Sequence, residues 1–126
     1  MPTATIIIII TDEGPIEISA ILAPRTMGTL AIHRSPKARG GVGKTWRVTH
    51  VPSGMTVDSY RPFQTRRAAE AFAKDAWGRL TEPARRAMAS ISNYEVMAES
   101  EHWDGIAAAF AAARARCDDM PPQDQN

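Results

Sequence analysis

Residues 39–45, Arg-Gly-Gly-Val-Gly-Lys-Thr, have the residue types of a phosphate-binding loop: glycines that let backbone N–H groups turn inward, a lysine for the phosphates and a threonine hydroxyl. Such a loop works by opening a helix, whose N-terminus presents the positive end of a dipole to the phosphates. The next residues are instead Trp46-Arg47-Val48-Thr49-His50-Val51, a strand pattern, and position 38 is Ala where the pattern GxxxxGK[ST] needs its first glycine. We therefore read the segment as a Gly-rich hairpin loop with a basic tip. Nucleotide binding at Arg39–Thr45 is kept as the one exception to a non-enzymatic reading.

The other reactive side chains do not converge. His33, His50 and His102 fall on separate expected elements, without a second His or Cys at metal-ligand spacing, so neither a metal nor another cofactor is expected. Glu101-His102-Trp103-Asp104 reads as the acidic start of a helix. The single cysteine, Cys117, cannot form an internal disulfide and suits a reducing cytoplasm. A nucleophile, base and acid can be drawn from any chain of this length, so no catalytic residue is assigned.

Charge is the more informative pattern. The formal net charge of the 126 residues is only +1, but it is segregated. Residues 1–24 carry three acids and no Lys or Arg. Residues 25–67 carry nine bases (Arg25, Arg34, Lys37, Arg39, Lys44, Arg47, Arg61, Arg66 and Arg67) against Asp58 alone, net +8. Residues 68–126 are again acidic, net −4. A block of one sign within a folded segment is the footprint of an anionic partner or a solvated face balanced within the same protein.

The elements that must position these groups can be read from periodicity. Thr3–Thr11 and Pro15–Leu22 are expected to form a hairpin around Asp12-Glu13-Gly14. The five isoleucines Ile6–Ile10 are too few to span a membrane and read as a strand buried on both faces. Met27–Arg34, Thr45–Val51 and Met55–Tyr60 make a three-stranded meander. Thr65 caps a helix to about Leu80, with Ala69, Phe72, Ala73, Ala76 and Leu80 on one stripe and Glu70 placed to pair with Lys74. Thr81 caps a second helix over Glu82–Ile91, ended by Asn93, and Ser100 precedes a third with Trp103, Ile106, Ala107 and Phe110 on its stripe. The expected architecture is a single α+β domain over 1–117, a five-stranded antiparallel sheet followed by two to three helices on one face, with a disordered tail at 118–126. The other sheet face, carrying His33, Arg47, Thr49, Thr56, Asp58 and Tyr60, is expected to be exposed beside the basic loop 35–44.

Trp46-Arg47-Val48, Gly54 and Phe63-Gln64-Thr65-Arg66-Arg67-Ala68-Ala69-Glu70-Ala71-Phe72 together resemble the arm-type, AP2-like N-terminal domain of phage integrases. The resemblance covers about 35 residues of the chain, within residues 45–80. It implies a three-stranded sheet on one helix, with the sheet face entering the DNA major groove. By that resemblance Arg47 and Thr49 lie on the reading face, and Trp46, Phe63, Ala69 and Phe72 lie in the core. Asp58 departs from it, standing where a basic residue is expected, and no recombinase catalytic domain comes after it.

The function expected from the charge is a small module that binds nucleic acid, duplex DNA more than RNA. Arg34, Lys37, Arg39, Lys44, Arg61, Arg66 and Arg67 would contact phosphates, with Arg47, Thr49 and Tyr60 nearest the bases. The alternative is a phage or mobile-element inhibitor or adaptor, anti-CRISPR-like or anti-restriction, that docks on an acidic protein surface. No membrane partner is expected. A homodimer through the Ile-rich first strand is expected if that strand lies outermost.

Overall fold

The computed structural model describes residues 4–37, 41–58 and 61–118. Strands β1 (Ala4–Thr11) and β2 (Gly14–Leu22) form a hairpin in continuous antiparallel register, from Thr11↔Gly14 to Ala4↔Ile21. β3 (Leu30–Pro36), β4 (Val42–His50) and the two-residue β5 (Met55–Thr56) complete a sheet of order β1-β2-β3-β4-β5. Helices α1 (Arg66–Arg79), α2 (Glu82–Ser90), α3 (Tyr94–Ala98) and α4 (Trp103–Asp118) complete the chain order. This is the expected α+β order, strands first and helices after.

The helices start where side chains can satisfy their free N–H groups. Thr65 accepts from Ala68 N at 3.0 Å, Thr81 from Ala84 N at 3.3 Å, and Asn93 from Val96 N at 3.1 Å. Asn93, expected to end the second helix, thus begins the short α3, a helix the apolar spacing had not revealed. The stripe of α1 packs Phe72 and Trp77 against Leu30, Ile32 and Val48 of the sheet, and Met88, Met97, Ile106 and Phe110 close the same core. Phe72 lies between Phe63 and Phe110, with ring centroids 5.1 and 5.7 Å away. Glu70 pairs with Arg66 at 2.6 Å, one turn N-terminal to it, instead of with Lys74.

A second core forms on the other side of the sheet. Ile7, Ile9, Ile18, Ala20 and Ala31 are buried together, with Ile16 and Val51 packed on them. The sheet curls to make this possible, until Ile10 N–H donates to Gly54 O at 2.9 Å and β1 reaches the β4–β5 turn. Two expectations fail for the same reason. Only one face of β1 is covered, by the second core, so alternate residues face outward: Ile6, Ile8 and Ile10 are 62%, 54% and 45% exposed. The second sheet face is not open either, since the curled hairpin packs on it through Ala31 and Val51, and His33, Thr49 and Asp58 are all buried. β5 also ends at Thr56, well short of the Tyr60 expected for it, and α4 runs one residue into the segment expected to be tail.

The closure depends on Gly54. Its φ is +73°, and a Cβ there would stand 2.9 Å from Ile8 O and 3.2 Å from Ile10 Cγ1. Gly28 has a similar φ of +69° with nothing within 4 Å. Gly28→Ala is expected to cost about 1–2 kcal/mol for the left-handed backbone alone. Gly54→Ala should cost distinctly more in thermal unfolding, because it also pushes β1 off the turn; equal losses would show that the closure contributes nothing.

Candidate nucleic-acid interface

The expected phosphate and base contacts fall into three groups. Arg34, Lys37 and Lys44 are exposed along the distal part of the β3–β4 hairpin. The Arg34 guanidinium lies over the Trp46 ring, 4.9 Å from its centroid, a cation–π contact. Ser35 and Thr45 tie the two strands by a 2.7 Å hydroxyl–hydroxyl bond. Lys44 and Thr45 lie inside β4, so a strand occupies the place where a phosphate-binding loop would open its helix. Arg39 and Tyr60 lie outside the described residues.

Arg47 and Thr49, expected nearest the bases, are turned to internal work. Arg47 donates Nε to Asp58 Oδ2 and Nη2 to Asp58 Oδ1, both at 2.8 Å, and its side chain is only 18% exposed. Asp58, the one acid of the basic block, is fully buried and also accepts from Val48 N at 3.1 Å. The structure thereby accounts for Asp58: it neutralises the one arginine that the curled sheet draws inward. Thr49 is fully buried and bonds His33 Nε2 at 2.7 Å. Of the core positions implied by the integrase resemblance, Phe63, Ala69 and Phe72 are buried and Trp46 is half-buried.

Arg61, Arg66 and Arg67 flank the start of α1. The Arg61 carbonyl accepts from Arg114 Nη1 at 2.6 Å, and Arg66 is paired with Glu70. Arg67 is exposed and lines a cleft of 730 Å³ between α1 and the β2–β3 connection, together with Arg25, Lys74 and Trp77. Neither Arg25 nor Lys74 was assigned from the sequence, since Lys74 lies outside the basic block and Arg25 comes just after the strand-breaking Ala23-Pro24. The connection is built rigidly. Thr26 donates to Ala23 O at 2.8 Å and its own carbonyl accepts from Thr29 N at 2.9 Å. Arg25 and Met27 have φ of 62° and 58°, the left-handed region that non-glycine residues adopt at a cost. Arg85 donates to Trp77 O at 3.1 Å, so it caps the end of α1 on the rim of the same cleft.

Among the described residues no group of three His, Cys, Asp or Glu side chains gathers as a metal site. Burial, and next to it Asp75, pushes the Cys117 thiol up, away from the reactive thiolate. Two histidines are locked in the protein interior. His50 donates Nε2–H to Met88 O at 2.7 Å and accepts at Nδ1 from Ser53; His33 donates Nδ1–H to Arg34 O at 2.8 Å and accepts at Nε2 from Thr49. A carbonyl can only accept, so the two rings hold opposite neutral tautomers.

These contacts have two measurable consequences. Asp58→Ala leaves Arg47 against the core without its partner and should cost about 3–5 kcal/mol in denaturant unfolding. A loss below about 1 kcal/mol would show that solvent reaches Arg47 freely. Burial lowers the pKa of both His33 and His50 below the ordinary value of 6.5, against the opposing pull of their backbone carbonyls. The unfolded chain therefore takes up protons through about pH 6.5 that the folded chain refuses, and the denaturation midpoint should fall between about pH 7.5 and 5.5. A midpoint that rises on acidification would contradict the neutral tautomers.

No family model matches this chain, and no match was found among curated proteins or solved structures.

Proposed function

We propose that this protein is a small non-enzymatic module that engages nucleic acid, duplex DNA by preference, through its phosphates. The observation that carries the reading is the cleft in which Arg25, Arg67 and Lys74 converge on a connection held in left-handed backbone. Cations carried on a held backbone lose less freedom on a phosphate than cations on a loose loop, and a groove wall concentrates their field. The hairpin cations Arg34, Lys37 and Lys44 add a second set of contacts in this reading, with Arg61 and Arg66 beside the start of α1. Because Arg47 and Thr49 face inward, the binding is expected to track the backbone and to discriminate weakly between base sequences. No helix among the described residues is long and apolar enough to cross a membrane.

A second reading has its own observation. Ile6, Ile8 and Ile10 form an exposed apolar row on an outermost strand. Such a row favours a protein partner, either a second copy or the host protein of a phage or mobile-element inhibitor. Light scattering on the wild type and on Ile8→Lys checks the second-copy form: a dimer that the variant dissociates supports it, and a monomer at all concentrations removes it.

Fluorescence anisotropy with labelled duplex DNA, single-stranded DNA and RNA tests the nucleic-acid reading. If six or more phosphates are contacted, affinity should fall by about a thousandfold or more between about 50 and 200 mM salt. Arg25→Glu with Lys74→Glu should abolish binding while leaving the melting temperature near that of the wild type. Binding that is flat in salt and unchanged in that variant would sink the proposal.

A further inference from the structure

The sheet is not zipped along its whole length. β2 pairs with β1 from Gly14 to Ile21, but with β3 only at Ile21↔Ile32 and Leu22↔Ala31. Beyond that point the two strands diverge, as β3 tracks β4 through an irregular register between Arg34 and Pro36. The wedge between them is a cleft of 850 Å³, lined by Asp12, Glu13, Ile16, Glu17 and Ile18 on one side and Lys37 on the other.

The two walls differ in what they offer. Ala23 N–H donates to Leu30 O across the β2–β3 junction, and Ile10 N–H points away from β2 to Gly54. The alternation of an antiparallel ladder then aims the N–H and C=O groups of Glu17 and Ser19 away from β1, into the wedge. The ladder to β3 does not extend to these residues, since its register ends at Ile21↔Ile32. On the β3 wall Pro36 has no N–H, and the Arg34 carbonyl already accepts one bond, from His33 Nδ1–H. That wall lacks one donor for pairing, whereas the β2 wall lacks none at Glu17 and Ser19.

Charge and side-chain alternation define the occupant. Asp12, Glu13 and Glu17 are all the acids of residues 1–24, and all three line the wedge, with Lys37 the single cation among the described residues that line it. Ile16 and Ile18 face the second core, whereas Glu17 between them is exposed on the opposite face. We propose that this wedge takes an extended peptide in which apolar and basic residues alternate, added as a further strand to the free edge of β2. Its backbone bonds Glu17 and Ser19, its apolar side chains lie beside Ile16 and Ile18, and its Lys or Arg side chains face Glu17 with the acidic turn alongside. The site is separate from the Arg25–Lys74 cleft and does not rest on the nucleic-acid reading.

The test uses the full chain and a fluorescein-labelled peptide of about ten residues that alternates Val with Lys or Arg. Two further peptides serve as controls: the same sequence N-methylated at alternate residues, and one with Glu in place of each base. The basic peptide is expected to raise anisotropy and to slow amide exchange at Glu17 and Ser19, read by NMR. Loss of backbone donors or reversal of charge in the peptide should each remove binding, without altering the protein. Glu17→Lys, at an exposed position, should weaken binding by about tenfold or more. Equal binding of the N-methylated peptide, protection at other amides, an unaffected Glu17→Lys variant, or no binding at millimolar peptide would each overturn the proposal.

Discussion

The fully buried carboxylate of Asp58 is the constraint around which this fold is arranged. It takes Arg47 in a two-bond fork and Val48 N–H as a third donor, so a charge on β4 is neutralised inside the molecule. The segment that carries it is held from the other side by α4. Arg114 Nη1 donates to the carbonyls of Asp58 and Arg61, and its guanidinium lies 3.9 Å from the centroid of Phe63. Phe63 in turn exchanges backbone bonds of 2.8 Å with Trp46, which fixes where Thr65 caps α1. Sheet, crossing segment and last helix are therefore joined by charges that would be costly to bury singly and are tolerated because each is met.

That arrangement also explains the division of the basic block. Arg47 of that block is consumed in holding the fold together, as is Arg114 of α4. Arg34, Lys37 and Lys44 remain exposed on the hairpin, and Arg25 and Arg67 line a cleft with Lys74 from outside the block. Electrostatic capacity is thus concentrated on elements whose backbone is fixed by strand pairing, a helix or a bonded connection, which is where cations can meet an anionic surface with the least loss of freedom. The acidic first segment lies at a different place, around the wedge beside β2. A net charge near zero conceals two surfaces of opposite sign.

Much of the architecture was legible because it rests on local rules. Thr65 and Thr81 cap helices wherever they precede an apolar stripe, and Asp12-Glu13 between alternating strands makes a hairpin. The site was legible only as a list of charges. Nothing in the spacing of Arg47 and Asp58 says that they meet across eleven residues, since their pairing depends on how far the sheet curls. Lys74 was assigned to Glu70 by helical spacing, but Glu70 takes Arg66 and leaves Lys74 to the cleft. The five isoleucines misled for a related reason: a buried strand and an outermost strand on a curled sheet share one composition, and only the neighbours of each face tell them apart.

By itself the sequence determined the order of strands before helices, the caps, the hairpin turn and the segregation of charge, because each is set by contacts within a few residues or by composition alone. Tertiary structure decided the rest: that Ile6, Ile8 and Ile10 face outward, that Arg47 and Thr49 turn inward, that Arg25 and Lys74 face one cleft, and that β2 keeps an open edge. These depend on sheet curvature and on which strands part company, quantities fixed by the packing of residues far apart in the chain. Local periodicity carries no record of them.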